Sequence, residues 1–269
     1  VHLNLSPALD GDYLLHEFNK EVVECILEEV VRQKLNSGIL ANATHLRSFL
    51  EESTGTDFQF DVSVGSDVER MIEGNAILEA LEESIQKEGL EETVFIVRSN
   101  KRANLYNQQI RQRILFLEAE LSVGDQLMVV KNNYFWLAPE SAPGFIANGD
   151  LVKILRILDH KDIYDFRFAK VEVAMVDYPD EKPFETMLLI DTLTSESPSL
   201  SFEEGNKLYH AVNEDYKHLT TKYKRFMAVK NDPYFNALQV KYSYAITCHK
   251  SQGGQWKKVF VEQPYLPDG

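Results

Sequence analysis

A dense run of polar side chains occupies residues 247–255 of this 269-residue chain and includes two consecutive glycines. Its hydroxyl, imidazole, ammonium and amide groups can all donate hydrogen bonds, and glycine lets a backbone approach a ligand closely. From residue types alone, the run could be a ligand-binding loop or an ordinary polar connection between two strands. Its members are Thr247, His249, Lys250, Ser251, Gln252, Gly253, Gly254 and Gln255.

A second candidate site follows a short apolar run at Thr93–Val97, which predicts a strand in the middle of a parallel sheet. Ser99 or Asn100 can cap the helix that comes next. The N-terminus of a helix after a strand favours anions, because its unpaired amide groups and its dipole both attract negative charge. Arg111 and Arg113 lie further along this helix, where an outward-facing charged surface explains them equally well.

The order A-I-T-C-H-K-S-Q-G-G-Q-W at residues 245–256 resembles motif V of superfamily 1 DNA helicases of the RecD-like branch, where a strand runs into T-x-H-K-S-Q-G. This family includes the alpha subunit of exodeoxyribonuclease V. The position after the second glycine is often Glu in relatives and is Gln255 here, whose amide can still contact a sugar hydroxyl. The resemblance implies nucleotide-cleft or coupling roles for Ser251, Gln252, Gly253 and Gly254. It implies DNA contacts for Thr247, His249, Lys250, Gln255 and the phosphate-binding set Arg98, Asn100, Lys101 and Arg102.

Residues 28–33, E-E-V-V-R-Q, resemble motif IV of the same family, L-x-E-V-x-R-Q. The resemblance implies that Arg32, with Gln33 beside it, belongs to the catalytic set and reaches the γ-phosphate of ATP in the complete protein. A planar, permanently charged guanidinium suits that role, because it can neutralise charge on a transferring phosphoryl group. Taken alone, Arg32 would be a surface or ion-paired side chain.

Four apolar runs in the middle of the chain, separated by turn residues, predict a small antiparallel barrel. Residues 124–134 followed by 148–150 resemble the G-D-x-V-M-x-x-x-N-x-Y…N-G-D pattern that opens the SH3-like 2B insertion of these helicases, with Leu127 in place of the usual Val. Residues 201–229 predict one helix with Ser201 as its cap. Its later part is basic and aromatic. Such a segment could bind single-stranded nucleic acid, but we favour aromatic side chains that anchor the helix to the barrel. The predicted strands are residues 126–130, 151–158, 166–176 and 184–189.

Together these features predict an α/β protein with a RecA-like domain of the P-loop NTPase type. We expect this domain, 2A, to comprise residues 1–121 and 236–269, and the SH3-like insertion with its helical extension to occupy residues 122–235. Strict alternation at residues 58–64 predicts a half-buried strand, and helical periodicity predicts a helix at residues 67–87 that ends at Gly89. The chain stops before the last helicase motif could occur, which suggests a piece of a longer protein.

The formal net charge of −14 argues against a nucleic-acid footprint over the whole surface. Residues 51–92 carry 13 acidic and two basic side chains, so the remainder is close to balanced and leaves room for a local basic groove. Cys25 and Cys248 lie in apolar contexts without ligand spacing, so we expect reduced core thiols and no metal site. No apolar run reaches the length of about 18 residues that a membrane helix needs, and we expect a soluble cytoplasmic protein.

The sequence contains no G-x-x-x-x-G-K-[ST] and no apolar strand that ends in an Asp-Glu pair. The resemblance to RecD-like helicases implies a C-terminal fragment of an ATP-dependent helicase that moves 5′ to 3′ on single-stranded DNA in recombination and repair. ATP and Mg²⁺ would be bound by the complete protein, and this fragment alone would be inactive. The expected partners are single-stranded DNA, a preceding RecA-like domain and nuclease or helicase subunits. The alternatives are a non-catalytic single-strand-binding or scaffolding module, and a nuclease, for which no Asp/Glu/Lys cluster suited to two-metal cleavage is present.

Overall fold

The computed structural model describes residues 10–23, 37–52 and 58–263, so Cys25, Arg32 and Gln33 lie outside the described residues. The chain divides into two compact units, residues 1–72 and 73–269. Its helices are α1 (Gly11–Phe18), α2 (Gly38–Glu52), α3 (Gly74–Glu88), α4 (Asn100–Arg113), α5 (Phe202–Asp215) and α6 (Lys222–Lys230). Its strands are β1 (Thr93–Val97), β2 (Gln126–Val129), β3 (Leu151–Ile163), β4 (Phe166–Met175), β5 (Phe184–Leu189), β6 (Leu238–Tyr242), β7 (Ala245–Thr247) and β8 (Lys258–Val261).

The first unit contains α1 and α2, and each begins at a polar cap. Asp10 caps α1 through a hydrogen bond from the amide of Tyr13. The Oγ of Ser37 accepts from the amide of Leu40 at 3.3 Å, so Ser37 caps α2. The carboxylate of Asp67 accepts from the Ser37 hydroxyl at 2.6 Å and from the amide of Gly38 at 2.7 Å. The helix predicted from residue 67 begins at Gly74, and Asp67 binds the start of α2.

The strand predicted at residues 58–64 is wrong. The amide side chain of Asn42 bonds both main-chain groups of Asp61, accepting from its N–H at 2.7 Å and donating to its carbonyl oxygen at 2.8 Å. The Asp61 carboxylate accepts from the amide and hydroxyl of Ser63, which fixes a local turn. Side chains thus satisfy backbone groups that a strand would have paired with a neighbour, and Phe60 and Val62 stay exposed.

The second unit begins with α3 and a parallel sheet whose strand order is β7-β1-β8. The N–H of Gly89 donates to the carbonyl oxygen of Ile85 at the end of α3, and its φ of 100° explains why glycine ends the helix. Strand β1 pairs in parallel with β7 on one side and with β8 on the other. The prediction of a central parallel strand at Thr93–Val97 is therefore confirmed.

Strands β2 to β6 form a closed five-stranded barrel, which confirms the predicted small barrel. Its neighbouring strands are antiparallel except β5 and β6, which run parallel. Strand β6 belongs to the barrel although it lies after residue 235, because it pairs with both β2 and β5. The apolar interior includes Leu127, Ile154 and Leu188, all fully buried.

The single helix predicted at residues 201–229 is two helices, α5 and α6. Ser201 caps α5 in a capping box with Glu204, as the sequence predicts. Thr221 caps α6 by accepting a hydrogen bond from the amide of Lys224 at 3.2 Å, so a new helix begins here and α5 does not continue. Among the helices of the described residues, none combines the length and apolar character that crossing a bilayer requires.

Candidate nucleic-acid interface

The two sets of predicted DNA contacts meet at one edge of the parallel sheet. Val97, the last residue of β1, is the register partner of Thr247, the last residue of β7. The amide of Cys248 donates to the carbonyl oxygen of Val97 at 2.9 Å, so the polar loop and α4 leave the sheet side by side. Parallel strands expose their carboxyl ends at a common edge, which is where α/β proteins bind ligands.

The N-terminus of α4 is capped as the sequence predicts. The Oγ of Ser99 accepts from the amide of Arg102 at 3.3 Å. Arg98 and Lys101 are exposed here, and the Lys101 ammonium lies 4.0 Å from a carboxylate oxygen of Glu196. Both members of this pair are about two-thirds exposed, so their attraction is weak and salt-sensitive. Arg98 and Lys101 can therefore reach an external anion.

Arg102 is engaged within the protein. Its guanidinium forms two hydrogen bonds with the carboxylate of Glu262, just after β8, and it lies over the ring of Tyr106 at 5.2 Å. The hydroxyl of Tyr106 donates to the same carboxylate at 3.0 Å. Burial acts to raise the pKa of Glu262, but these hydrogen bonds and the charge of Arg102 outweigh it and lower the pKa. A phosphate could bind Arg102 only in exchange for Glu262.

Main-chain carbonyl groups of residues 194–196, after β5, face the first turns of α4. Asn100 donates to the carbonyl oxygen of Glu196 at 2.9 Å, and Asn104 donates to that of Thr194 at 2.7 Å. The ammonium of Lys241, in β6, donates to the carbonyl oxygen of Ser195 at 2.6 Å. The predicted contact residue Asn100 therefore orients this barrel segment over α4.

Lys241 and Lys250 line a small cavity beside α4 and β7. Burial, and after it the charge of Lys250, lowers the pKa of Lys241 to about 8. Burial also lowers the pKa of Lys250, whose ammonium donates to the Oδ1 of Asn148 in the barrel. The cavity volume of about 20 Å³ fits a single water molecule and excludes a nucleotide. Any nucleic acid must therefore bind on the outer surface of this edge.

The polar loop opens with a turn. Thr247 is only 8% exposed, and its carbonyl oxygen accepts from the amides of Lys250 at 2.8 Å and Ser251 at 3.1 Å. The Ser251 hydroxyl donates to the carbonyl oxygen of Cys248 at 2.9 Å. Cys248 itself is exposed, so its predicted place in the core is wrong, because β7 ends one residue before it.

The tip of the loop presents its remaining predicted site residues to solvent. These residues are His249, Gln252, Gly253, Gly254 and Gln255. A side chain on Gly254 would place its Cβ 2.1 Å from the ring of Trp256, which packs against the buried cluster of Val94, Met128 and Ile246. Only glycine therefore allows the tryptophan to fold back onto the sheet.

The hydrogen-bond donors at the loop tip limit which part of ATP this loop could contact in the complete protein. Residues 251–255 contain no charged side chain, and Gly253 has a φ of 87°. Neutral amides and exposed backbone suit a sugar hydroxyl or a base edge, but they do not form a triphosphate cradle. The loop fits one border of a nucleotide cleft, whose phosphate contacts would have to come from elsewhere, as predicted for Arg32.

A buried ion pair that the sequence does not predict lies at the other end of α4. The Nε and Nη2 of Arg111 donate to the two carboxylate oxygens of Asp125, both at 2.9 Å. Arg111 is 5% exposed, so the outward-facing alternative is wrong for it, whereas Arg113 is exposed. The hydroxyl of Tyr244 donates to Asp125 at 2.9 Å and accepts from the amide of Gln126 at 3.0 Å. The only available signal was Asp125 itself, in the G-D that opens the barrel pattern.

Comparison with known protein families also points to the region of the polar loop. Residues 242–269 match the family of UvrD-like helicase C-terminal domains. The match runs from the end of β6 through β7, the polar loop and β8. It supports a C-terminal part of a superfamily 1 helicase, a class that binds DNA. A search of curated proteins found no match.

Proposed function

We propose that this chain is the C-terminal motor part of a RecD-like superfamily 1B DNA helicase, similar to the alpha subunit of exodeoxyribonuclease V. The complete protein would hydrolyse ATP to move 5′ to 3′ along single-stranded DNA in recombination and repair in the cytoplasm. In this proposal the second unit combines a RecA-like sheet with an SH3-like barrel. A preceding RecA-like domain would supply the phosphate cradle and Mg²⁺ ligands, and nuclease or helicase subunits are further candidate partners.

One observation carries the proposal: the hydrogen bond from Cys248 to Val97 brings the polar loop beside the N-terminus of α4. The exposed cations Arg98 and Lys101 and the exposed ring of His249 then follow two strands, β1 and β7, that end at the same edge. A DNA backbone that follows this edge would meet amide groups and positive charge together.

The same loop can couple DNA to the nucleotide. Its first part, Thr247 to Lys250, leaves the edge where DNA would bind, and its tip at Gln252 and Gly253 would border ATP. Because Ser251 donates its amide to the carbonyl oxygen of Thr247 and its hydroxyl to that of Cys248, a displacement at one end of the turn would be transmitted to the other. In the complete protein, Arg32 would contact the γ-phosphate of ATP. Hydrolysis would then change the gap between the two motor domains.

The test is the ATPase rate of the full-length protein, measured with and without a single-stranded oligothymidylate. We expect strong stimulation by the oligonucleotide and a severalfold weaker stimulation in His249→Ala. His160→Ala is the matched control, because His160 is an exposed histidine on β3 of the barrel. This control should respond to DNA like the wild-type protein.

Turnover that is absent in both conditions, combined with oligonucleotide binding, would reject the motor and favour the non-catalytic binding module. An equal response of His249→Ala and His160→Ala would remove the loop from the coupling path. A protein that neither hydrolyses ATP nor binds the oligonucleotide would reject both functions.

A further inference from the structure

Helix α6 carries a concentrated positive charge that the proposed function leaves unused. Residues 217–231 contain five Lys or Arg residues, one His and no Asp or Glu, in a chain whose formal net charge is −14. Such a segregated cluster on an acidic protein calls for a specific explanation. We call the side chains of Lys222, Tyr223, Lys224, Arg225 and Phe226 the α6 surface.

The aromatic side chains of this surface do not anchor the helix, so the sequence prediction is wrong for Tyr223 and Phe226, whereas Tyr216 does pack against the barrel-side core. Tyr223 is 72% exposed and Phe226 is 41% exposed. The residue of α6 that packs into the barrel-side core is Val229, which is fully buried. One face of the Tyr223 ring is therefore free, and packing within the protein does not account for this ring.

The charges of α6 are also placed against the helix dipole. Lys222, Lys224 and Arg225 all lie in its first turn, which has no acidic residue. The neighbouring helix α5 shows the usual arrangement, with Glu203 and Glu204 in its first turn. Because the N-terminus of a helix is its positive end, the cations of α6 repel it and one another until an external anion compensates them.

The first-turn cations of α6 have no counter-charge among the residues that the structure describes. Within the described residues, no ion pair involves Lys222, Lys224 or Arg225 at 4.0 Å or less. The Nε of Arg225 is buried and has no hydrogen-bond partner in this part of the chain. Because this Nε is shielded from solvent, the exposed ammonium groups of Lys222 and Lys224 are the cations of the first turn that an external phosphate oxygen can reach.

We propose that the α6 surface binds single-stranded nucleic acid as a second contact region, separate from the edge of the parallel sheet. The cations of the first turn contact successive phosphates, and the free ring of Tyr223 stacks on an unpaired base. An acidic peptide would satisfy the same charges but would leave the flat, exposed tyrosine without a partner. The choice of nucleic acid rests on the proposed function, whereas the charge and exposure of α6 do not.

The experiment measures the binding of a fluorescently labelled oligothymidylate to the full-length protein by anisotropy at several salt concentrations. We expect Tyr223→Ala to weaken binding at least about fivefold, because stacking contributes roughly 1–3 kcal/mol per base. The double variant Lys222→Ala/Lys224→Ala should reduce the slope of log K against log salt by about 1.4, at about 0.7 per lost phosphate contact. Tyr223→Phe keeps the ring and should bind like the wild-type protein.

Two matched controls separate this surface from general effects. Phe202→Ala removes an aromatic ring that is 84% exposed but is followed by Glu203 and Glu204, and Lys182→Ala removes an exposed lysine that lies on neither helix. Both controls should bind the oligonucleotide like the wild-type protein. Circular dichroism of each variant reports whether α6 still folds, and Tyr223→Leu replaces Tyr223→Ala if the alanine variant unfolds.

The proposal is overturned if the wild-type protein binds but Tyr223→Ala and the double variant match their controls. Loss of oligonucleotide binding in the double variant, together with unchanged binding in Tyr223→Ala, would overturn the proposed stacking, because the contact would then be with phosphates alone. Weaker binding in Tyr223→Ala combined with normal binding in Lys101→Ala/Lys250→Met would support α6 and reject the sheet edge. The two proposals can therefore fail separately.

Discussion

The two ends of helix α4 use similar residue types in opposite ways. At its C-terminal end, Arg111 is buried and forms a bidentate pair with Asp125. At its N-terminal end, Lys101 faces Glu196 across 4.0 Å in solvent, and Arg102 is shared between Glu262 and Tyr106. One helix thus carries a fixed anchor at one end and exchangeable charges at the other.

The difference between the ends is a difference in desolvation. A buried pair has lost its water, so removing either partner leaves an uncompensated charge in the interior. An exposed pair can exchange its partner for water or for a phosphate at little cost. The C-terminal end of α4 can therefore hold the helix against the barrel while the N-terminal end remains available to a ligand.

The largest effect is expected from Asp125→Asn, which keeps the shape of the side chain but removes its charge. We expect the free energy of unfolding to fall by about 3–5 kcal/mol, because Arg111 would remain buried without a counter-charge. Urea denaturation of the purified protein measures this change. Glu185→Gln is the control, because it neutralises the exposed pair with Lys170 and should cost less than about 1 kcal/mol. Equal losses would show that the anchor is no stronger than a surface pair.

An intermediate effect is expected from Glu262→Gln at the other end. The free energy of unfolding should fall by roughly 1–2 kcal/mol, because the carboxylate accepts hydrogen bonds from Arg102 and Tyr106. Affinity for single-stranded DNA should rise, because the released Arg102 can bind phosphate. Denaturation and oligonucleotide anisotropy measure the two changes, which have opposite signs. A loss of both stability and affinity would mean that Glu262 positions Arg102 for DNA instead of competing for it.

The acid limb of the stability curve gives an independent check on Glu262. Its pKa in the folded protein is lower than the ordinary value of 4.5. Its contribution to stability is therefore fully present above about pH 4.5 and is lost as the pH falls through the lowered pKa. The difference in stability between wild type and Glu262→Gln should shrink over that acidic range and stay constant at neutral pH.

The smallest effect is expected for the pKa of Lys241. Burial and the charge of Lys250 together lower this pKa to about 8, so Lys250→Met should raise it by removing the second cause. Titration of lysine side-chain NMR signals measures the change, with Lys182→Met as a control that should leave Lys241 unaffected. An unchanged pKa in Lys250→Met would show that burial alone is responsible, and that the two ammonium groups do not interact.

The sequence predicted the features that short stretches of chain determine. The caps at Ser99 and Ser201, the glycine stop at Gly89 and the apolar strand at Thr93–Val97 each depend on neighbours within a few residues. The DNA contacts predicted on the polar loop and at the start of α4 belong to one hypothesis, which rests only on the resemblance to a family. Local chemistry therefore predicted how these individual elements begin and end.

Features that depend on distant partners were not predictable in the same way. The bond between Arg102 and Glu262 joins residues 160 positions apart, and no local pattern selects Glu262 among the 42 acidic residues. Alternation at residues 58–64 predicted a face for a strand, but it could not reveal that Asn42 would take the backbone groups of Asp61. Similarly, the sequence pattern does not reveal that Val229 occupies the core while Tyr223 is exposed.

The strand order has a consequence for the order of folding. Strands β1 and β7 are neighbours in space, yet the whole barrel lies between them in the chain. Pairing of β2 with β6 brings Tyr242 beside Leu127, so the chain reaches Ala245 with a short remaining loop. Closing the barrel first shortens the loop that must close when β7 joins β1, and so lowers its entropy cost. We therefore expect the sheet edge that bears the candidate interface to form late, on a barrel that is already closed.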